Sequence, residues 1–137
     1  MQTFLPYKDF DRTARVLDDK RLGNQAYREG LTLIRGGWPN HPASKMWQGH
    51  TGALAKYCLA LLKELKRRGR DYPHWFEYFE DVLNNTTERD DPRWLGKKAF
   101  HDSHKAMLYR KDPQHYKQFK SYSHIEDYWW PSKEGYA

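Results

Sequence analysis

The chain has 137 residues, enough for one domain around one core and too few for two. A net charge of +6 with 16% aromatic residues excludes a disordered chain and points to an anionic partner. Such a composition suits gripping phosphates and stacking on bases, and equally suits a solvated basic surface over an aromatic core. The one cysteine, Cys58, lies in an apolar helical run and reads as core packing, with no disulfide framework. MQTFLPYKDF has no signal-peptide apolar region, and no run approaches the roughly 20 apolar residues that span a bilayer. The expectation is a cytoplasmic, monomeric protein with no membrane association, no metal and no cofactor.

In chain order, MQTFLPY reads as a short extended lead-in. Asp9 or Asp11 can cap a first helix that runs to about Arg35, where Gly36, Gly37 and Pro39 stop it. After GGWPNHP a second helix is predicted from about Ala43 to Arg68, with Trp47, Leu54, Cys58, Leu61 and Leu65 at helical spacing. HWFEYFEDVL reads as a short third helix and NNTTERDDP as a polar loop. Pro92 fits the first turn of a fourth helix over residues 92–110, and Asp112 and Pro113 begin one more turn. The tail SYSHIEDYWWPSKEGYA is irregular and aromatic. No strand alternation appears, so the expected fold is all-α, a compact single domain over residues 1–137.

The first helix carries a conflict. At about 100° per residue, Val16, Leu22, Ala26, Tyr27, Leu31, Leu33 and Ile34 share one arc, with Asp18, Arg21, Gln25 and Arg28 opposite. Asp19 and Lys20 fall inside the apolar arc and Glu29 at its rim. A buried charge needs a partner, and neighbours at i,i+1 do not face each other on a helix. Two readings are open: a buried ionic network tying the helix to the lead-in, or an active site between them with shifted carboxylate and amine pKa values.

Other residues have both a chemical and a packing reading. His41, in NHP, can cap the second helix or line a pocket. Trp47 and His50 lie one turn apart on the second helix and read most simply as core, while Tyr57 at the stripe's edge can offer its hydroxyl to a cleft. His101 and His104, in HDSH, have the i,i+3 spacing of a weak metal site and also suit contact with phosphate or base. Arg110, Lys111, His115, Tyr116 and Lys117 alternate bases and aromatics, which suits a nucleic-acid backbone or a solvated helix end.

Several of these segments together resemble the phage-type pyrimidine-dimer DNA glycosylase/AP lyase superfamily. The residues that carry the likeness are MQTFLPY, LDDKRLGNQ with Glu29 beyond it, NHP with Trp47 and Tyr57, KELKRRG, HDSH, DPQHY and the aromatic tail. The resemblance implies a compact all-α fold and double-stranded DNA as partner, with a damaged or modified base flipped out of the duplex. It implies that a free N-terminal amine attacks the sugar C1′, that an imine forms as the base is lost, and that the strand can then be cut by elimination. A glutamate on the first helix assists, directly after an arginine, and arginines of that helix hold the DNA. For this chain that makes Arg15, Arg21 and Arg28 phosphate contacts, with Gln25, His41, Trp47, His50, Tyr57, His101, His104, Arg110, Tyr116 and Lys117 as further DNA-facing candidates.

Carrying the chemistry over gives two departures. The second residue is Gln2, and an initiator methionine is usually kept before so large a residue, so the amine falls on Met1. The residue following Arg21 is Leu22, in place of the expected glutamate; Asp19 and Glu29 are the nearby acids, and neither matches by position. An N-terminal amine near pKa 8 is roughly a tenth neutral at pH 7, whereas a lysine needs desolvation to match it. Lys20, on the apolar arc, is the alternative nucleophile. The readings are therefore a DNA glycosylase, with or without lyase activity, a nucleic-acid-binding module without catalysis, or an enzyme on a nucleotide or modified base that forms no imine.

Overall fold

The structure, a computed structural model, describes residues 2–136. Seven α-helices and no strand occur among the described residues: α1 Phe10–Val16, α2 Asp19–Gly23, α3 Gly30–Ile34, α4 Pro42–Trp47, α5 Thr51–Arg67, α6 Pro73–Asn85 and α7 Lys98–Lys111. A π-helical segment, Asn24–Glu29, joins α2 to α3, and a 3-10 turn, Lys117–Tyr122, comes after α7. The all-α fold read from the sequence is the one observed.

Two predicted helices are divided, and another begins later than predicted. The first breaks at Leu17, where the chain turns extended (φ −68°, ψ 140°) and Leu17 itself is fully buried. Two aspartates restart the chain: Asp9 caps α1 by accepting from the Arg12 N–H at 2.9 Å, and Asp18 caps α2 from the Arg21 N–H at 3.4 Å. The second breaks between α4 and α5 at Gly49, whose φ of +80° suits glycine. The fourth starts at Lys98, so Pro92 lies in the turns before α7 and not in its first turn.

The core forms around α5, whose Leu54, Tyr57, Cys58, Leu61 and Leu65 are buried. One side meets α1, α2, the π segment and α3, and the other meets α6. The fit against α3 is close: a Cβ on Gly30 would sit 2.3 Å from the Cys58 sulfur. Cys58 is buried and its thiol is not paired in a disulfide, in keeping with its place in the apolar run. Among the described residues no helix is long and apolar enough to cross a membrane.

The segment before α1 is the least expected part of the core. Gln2, Thr3, Phe4 and Leu5 are all buried. A buried backbone must find partners for its polar groups, and side chains supply them here in place of a neighbouring strand. The Thr3 N–H donates to Gln2 Oε1 at 2.9 Å and the Phe4 N–H to Gln25 Oε1 at 3.2 Å. The Tyr57 hydroxyl donates to the Phe4 carbonyl at 2.7 Å, and the Trp47 indole N–H to Thr3 Oγ1 at 2.9 Å. The Leu5 N–H donates to His104 Nδ1 at 2.9 Å, and its carbonyl accepts from His101 Nδ1 at 2.7 Å.

Candidate active site

A cleft of about 370 Å³ opens where the leading segment passes the π segment. One wall is Lys20, Arg21, Asn24, Gln25 and Glu29. The facing wall combines Gln2 and Phe4 from the leading segment with Lys111 at the end of α7 and Tyr128 from the tail. The cleft thus holds one carboxylate, three cations, three carboxamides and two aromatic rings. Cations of this kind fix phosphates, rings stack on bases, and a carboxylate can stabilise a sugar that is becoming cationic.

The π segment explains how the helix wall is assembled. At ideal α spacing, Lys20 and Glu29 would stand about 180° apart on a single helix. A π turn takes up extra residues per turn, which rotates the helix beyond it. Arg21, Gln25 and Glu29, spaced i, i+4 and i+8, share a face even at α spacing, and with this rotation Lys20 joins them in one cleft. Glu29, the one carboxylate lining the cleft, directly follows Arg28 in the sequence. Arg28 is exposed beside the cleft and reaches Asn24 Oδ1 at 3.4 Å.

The apolar-arc reading of Asp19 and Lys20 is corrected. Both side chains are exposed, because the break at Leu17 and the π segment change the register that one continuous helix would impose. Asp19 lies outside the cleft and pairs with Arg68 at 2.8 Å while remaining 76% exposed. Lys20 does line the cleft but is not desolvated. The aspartate that is held inside is Asp18, which the wheel placed on the polar side. Burial works to raise its carboxyl, but hydrogen bonds from Tyr116 and Arg21 outweigh this and hold it below the usual carboxylate range.

Several predicted DNA contacts prove to be interior groups. Trp47 and Tyr57 are buried and hold the leading segment. Tyr116 is fully buried with its hydroxyl on Asp18, so it is not a stacking surface. His101 and His104 are buried too and face Leu5, which corrects their assignment to phosphate or base contact. His50 is not on the apolar face of a helix but at the start of α5, its Nδ1 3.1 Å from the Asp90 carbonyl. Gln25 lines the cleft, but it is buried and its Oε1 is engaged by Phe4.

The exposed candidates are dispersed. Arg15 borders a separate depression with Asp11 and Lys63, Lys117 lies on the 3-10 turn, and Arg110 holds the tail through the Ser123 and Ile125 carbonyls. His41 caps α4, its Nδ1 accepting from the Ala43 N–H at 3.0 Å. Partial burial lowers its pKa, while the nearby Glu29 carboxylate pulls it upward. Met1 lies outside the described residues. No group of three or more metal-ligating side chains occurs among the described residues.

Four lining residues are not among the candidates that the sequence suggests: Gln2, Phe4, Asn24 and Tyr128. Gln2 is buried, and its Nε2 has no hydrogen-bond partner within standard geometry among the described residues, although its side chain lies against the Tyr128 hydroxyl in the cleft wall. Burial pushes the Tyr128 hydroxyl up to about 12, so it stays a donor at neutral pH. The polar residues before and after the family-like helix carry some signal. Nothing in the sequence tells where the aromatic tail docks.

The family described as pyrimidine dimer DNA glycosylase matches this chain over residues 1–87. No curated protein and no solved structure matches it. The chain belongs to the pyrimidine dimer DNA glycosylase family.

Proposed function

We propose that this chain is a DNA glycosylase that removes a damaged or modified base through an amine nucleophile, with Glu29 as its catalytic carboxylate. One observation carries the reading. The start of the chain, represented by Gln2, and the glutamate next to Arg28 line the same cleft. Family membership supplies DNA as the substrate class.

The nucleophile in this reading is the α-amine of Met1. Such an amine is partly neutral near pH 7 without help, whereas an exposed lysine is not, and Lys20 is exposed. The amine nitrogen attacks C1′ of the damaged nucleotide. The C1′–base bond breaks, its electron pair leaves with the base, and the base takes up a proton. Loss of the amine's protons and opening of the sugar ring give the imine. Glu29 stabilises the positive charge that develops on the sugar and relays protons to and from it. Arg21, Arg28, Lys20 and Lys111 hold the flanking phosphates. Tyr128 offers aromatic surface to an extrahelical base or sugar.

The test is borohydride trapping on a duplex with one abasic site. The wild type is expected to form a covalent adduct. Glu29→Gln is expected to lose about 100-fold or more in base removal while still binding, the range for a lost acid–base group. Binding with no adduct would leave a DNA-binding module without this chemistry.

A further inference from the structure

The HDSH motif, residues 101–104, is buried in α7 and lies outside the cleft, yet its side chains reach both ends of the chain. His101 and His104 sit one turn apart and take the two backbone groups of a single residue, Leu5. Their tautomers are set by the partners. His101 Nδ1 faces a carbonyl, so it carries the proton, and its Nε2 accepts from the Gly96 N–H at 2.9 Å. His104 Nδ1 accepts the Leu5 N–H, so its proton is on Nε2. Between them, Ser103 Oγ donates to the Phe100 carbonyl at 2.7 Å and accepts the Trp129 N–H at 3.0 Å. Leu5 and Trp129 each adjoin a lining residue, Phe4 and Tyr128. His104 also lies edge-on to both of those rings, at 6.2 and 5.3 Å between centroids.

We propose that His101, Ser103 and His104 are positioning residues: they register the leading segment and the tail on one helix, and so set Gln2, the residue after the proposed nucleophile, and Tyr128 opposite Glu29 in the cleft. This rests on the glycosylase reading above. A buried segment of this kind has no sheet to fix its register, and each lost partner leaves a backbone group unpaired in the interior. Misplacing reacting groups by about 1 Å costs on the order of 100-fold in rate, so a small slip of Leu5 is enough to matter.

The decisive comparison is His104→Leu against His104→Asn. Leucine fills the space but cannot accept the Leu5 N–H, whereas the asparagine Oδ1 stands in for Nδ1. The readouts are the adduct-forming rate at saturating protein, with a single-abasic-site duplex and borohydride, and the Kd of the same duplex. His104→Leu is expected to lower the rate about tenfold or more with Kd within about threefold, and His104→Asn to recover most of the rate. A folded His104→Leu that traps at the wild-type rate overturns the inference, as does a parallel loss of rate and affinity that asparagine does not rescue. If the leucine variant does not fold, amide exchange in the wild type decides: Leu5 and Trp129 protected like the α5 core support the registration, and free-chain exchange at either overturns it. A wild type that forms no adduct overturns the glycosylase reading, whereas an adduct-forming wild type matched by His104→Leu overturns only the positioning role.

Discussion

The two walls of the cleft are built differently. The wall from α2 and the π segment is local: Lys20, Arg21, Asn24, Gln25 and Glu29 are close neighbours in the chain, and one irregular helix presents them. The facing wall is assembled from Gln2 and Phe4, Lys111 and Tyr128; α7 contacts both the leading segment and the tail, and Trp47, Tyr57 and Gln25 also hold the leading segment. The local wall carries the charges that the chemistry needs. In the proposed reaction the assembled wall carries Gln2, next to the proposed nucleophile, and the aromatic rings, and its geometry depends on buried polar contacts.

Acid should separate the walls first. Burial holds His104 down to about 3 and lowers His101 as well, with Lys105 and Lys8 adding to the effect on His101 and Asp102 opposing it. An unfolded histidine takes a proton near pH 6.5. Because the unfolded chain then binds more protons, this stabilisation is complete above about pH 6.5 and falls progressively as the pH drops toward about 3. Thermal melts from about pH 7.5 to 4 are expected to show a loss of several kcal/mol, beginning well above the carboxylate range. His104→Asn should flatten that slope between about pH 6.5 and 4. The Asp18 and Glu64 carboxyls, both lowered in the folded state, add their losses only at more acidic pH. A profile that stays flat down to about pH 4.5 would show that the two histidines are not buried as described.

Lys111 probes the assembled wall at smaller scale. It is exposed at the end of α7 and lines the cleft. Lys111→Ala should weaken duplex binding modestly and lower the slope of log K against log salt by about 0.9, one phosphate contact. An unchanged slope in a salt titration would remove Lys111 from the interface.

The smallest effect is expected at Asp19, which the helical wheel makes most suspect. Its carboxylate is exposed, and among the described residues it pairs with Arg68. Asp19→Asn should change stability by about 0.5 kcal/mol and leave base removal unaltered, as for exposed pairs generally. A large loss of activity would restore it to the site.

The same contrast marks what is legible in the sequence. Helical spacing finds α5 and α6, and the apolar run around Cys58 places that residue in the core. Charges on the first helix point to a segment that lines the cleft, but a wheel assumes constant pitch. The break at Leu17 and the π segment alter it, so Asp18 and Asp19 exchange places between interior and surface. The HDSH motif is visible, yet its two histidines resemble surface ligands because nothing local reveals that their partner is Leu5, 96 and 99 residues away. Tyr128 is hidden for the same reason: its role depends on the docking of an irregular tail.

The most direct test of the central claim is to locate the covalent bond. The adduct trapped on an abasic-site duplex is reduced, digested and mapped by peptide mass spectrometry. The account predicts the deoxyribose remnant on the α-amine of the N-terminal peptide, with Lys20→Ala still forming the adduct and an added N-terminal residue abolishing it. An adduct on Lys20, or one that survives blocking of the N-terminus, would contradict it.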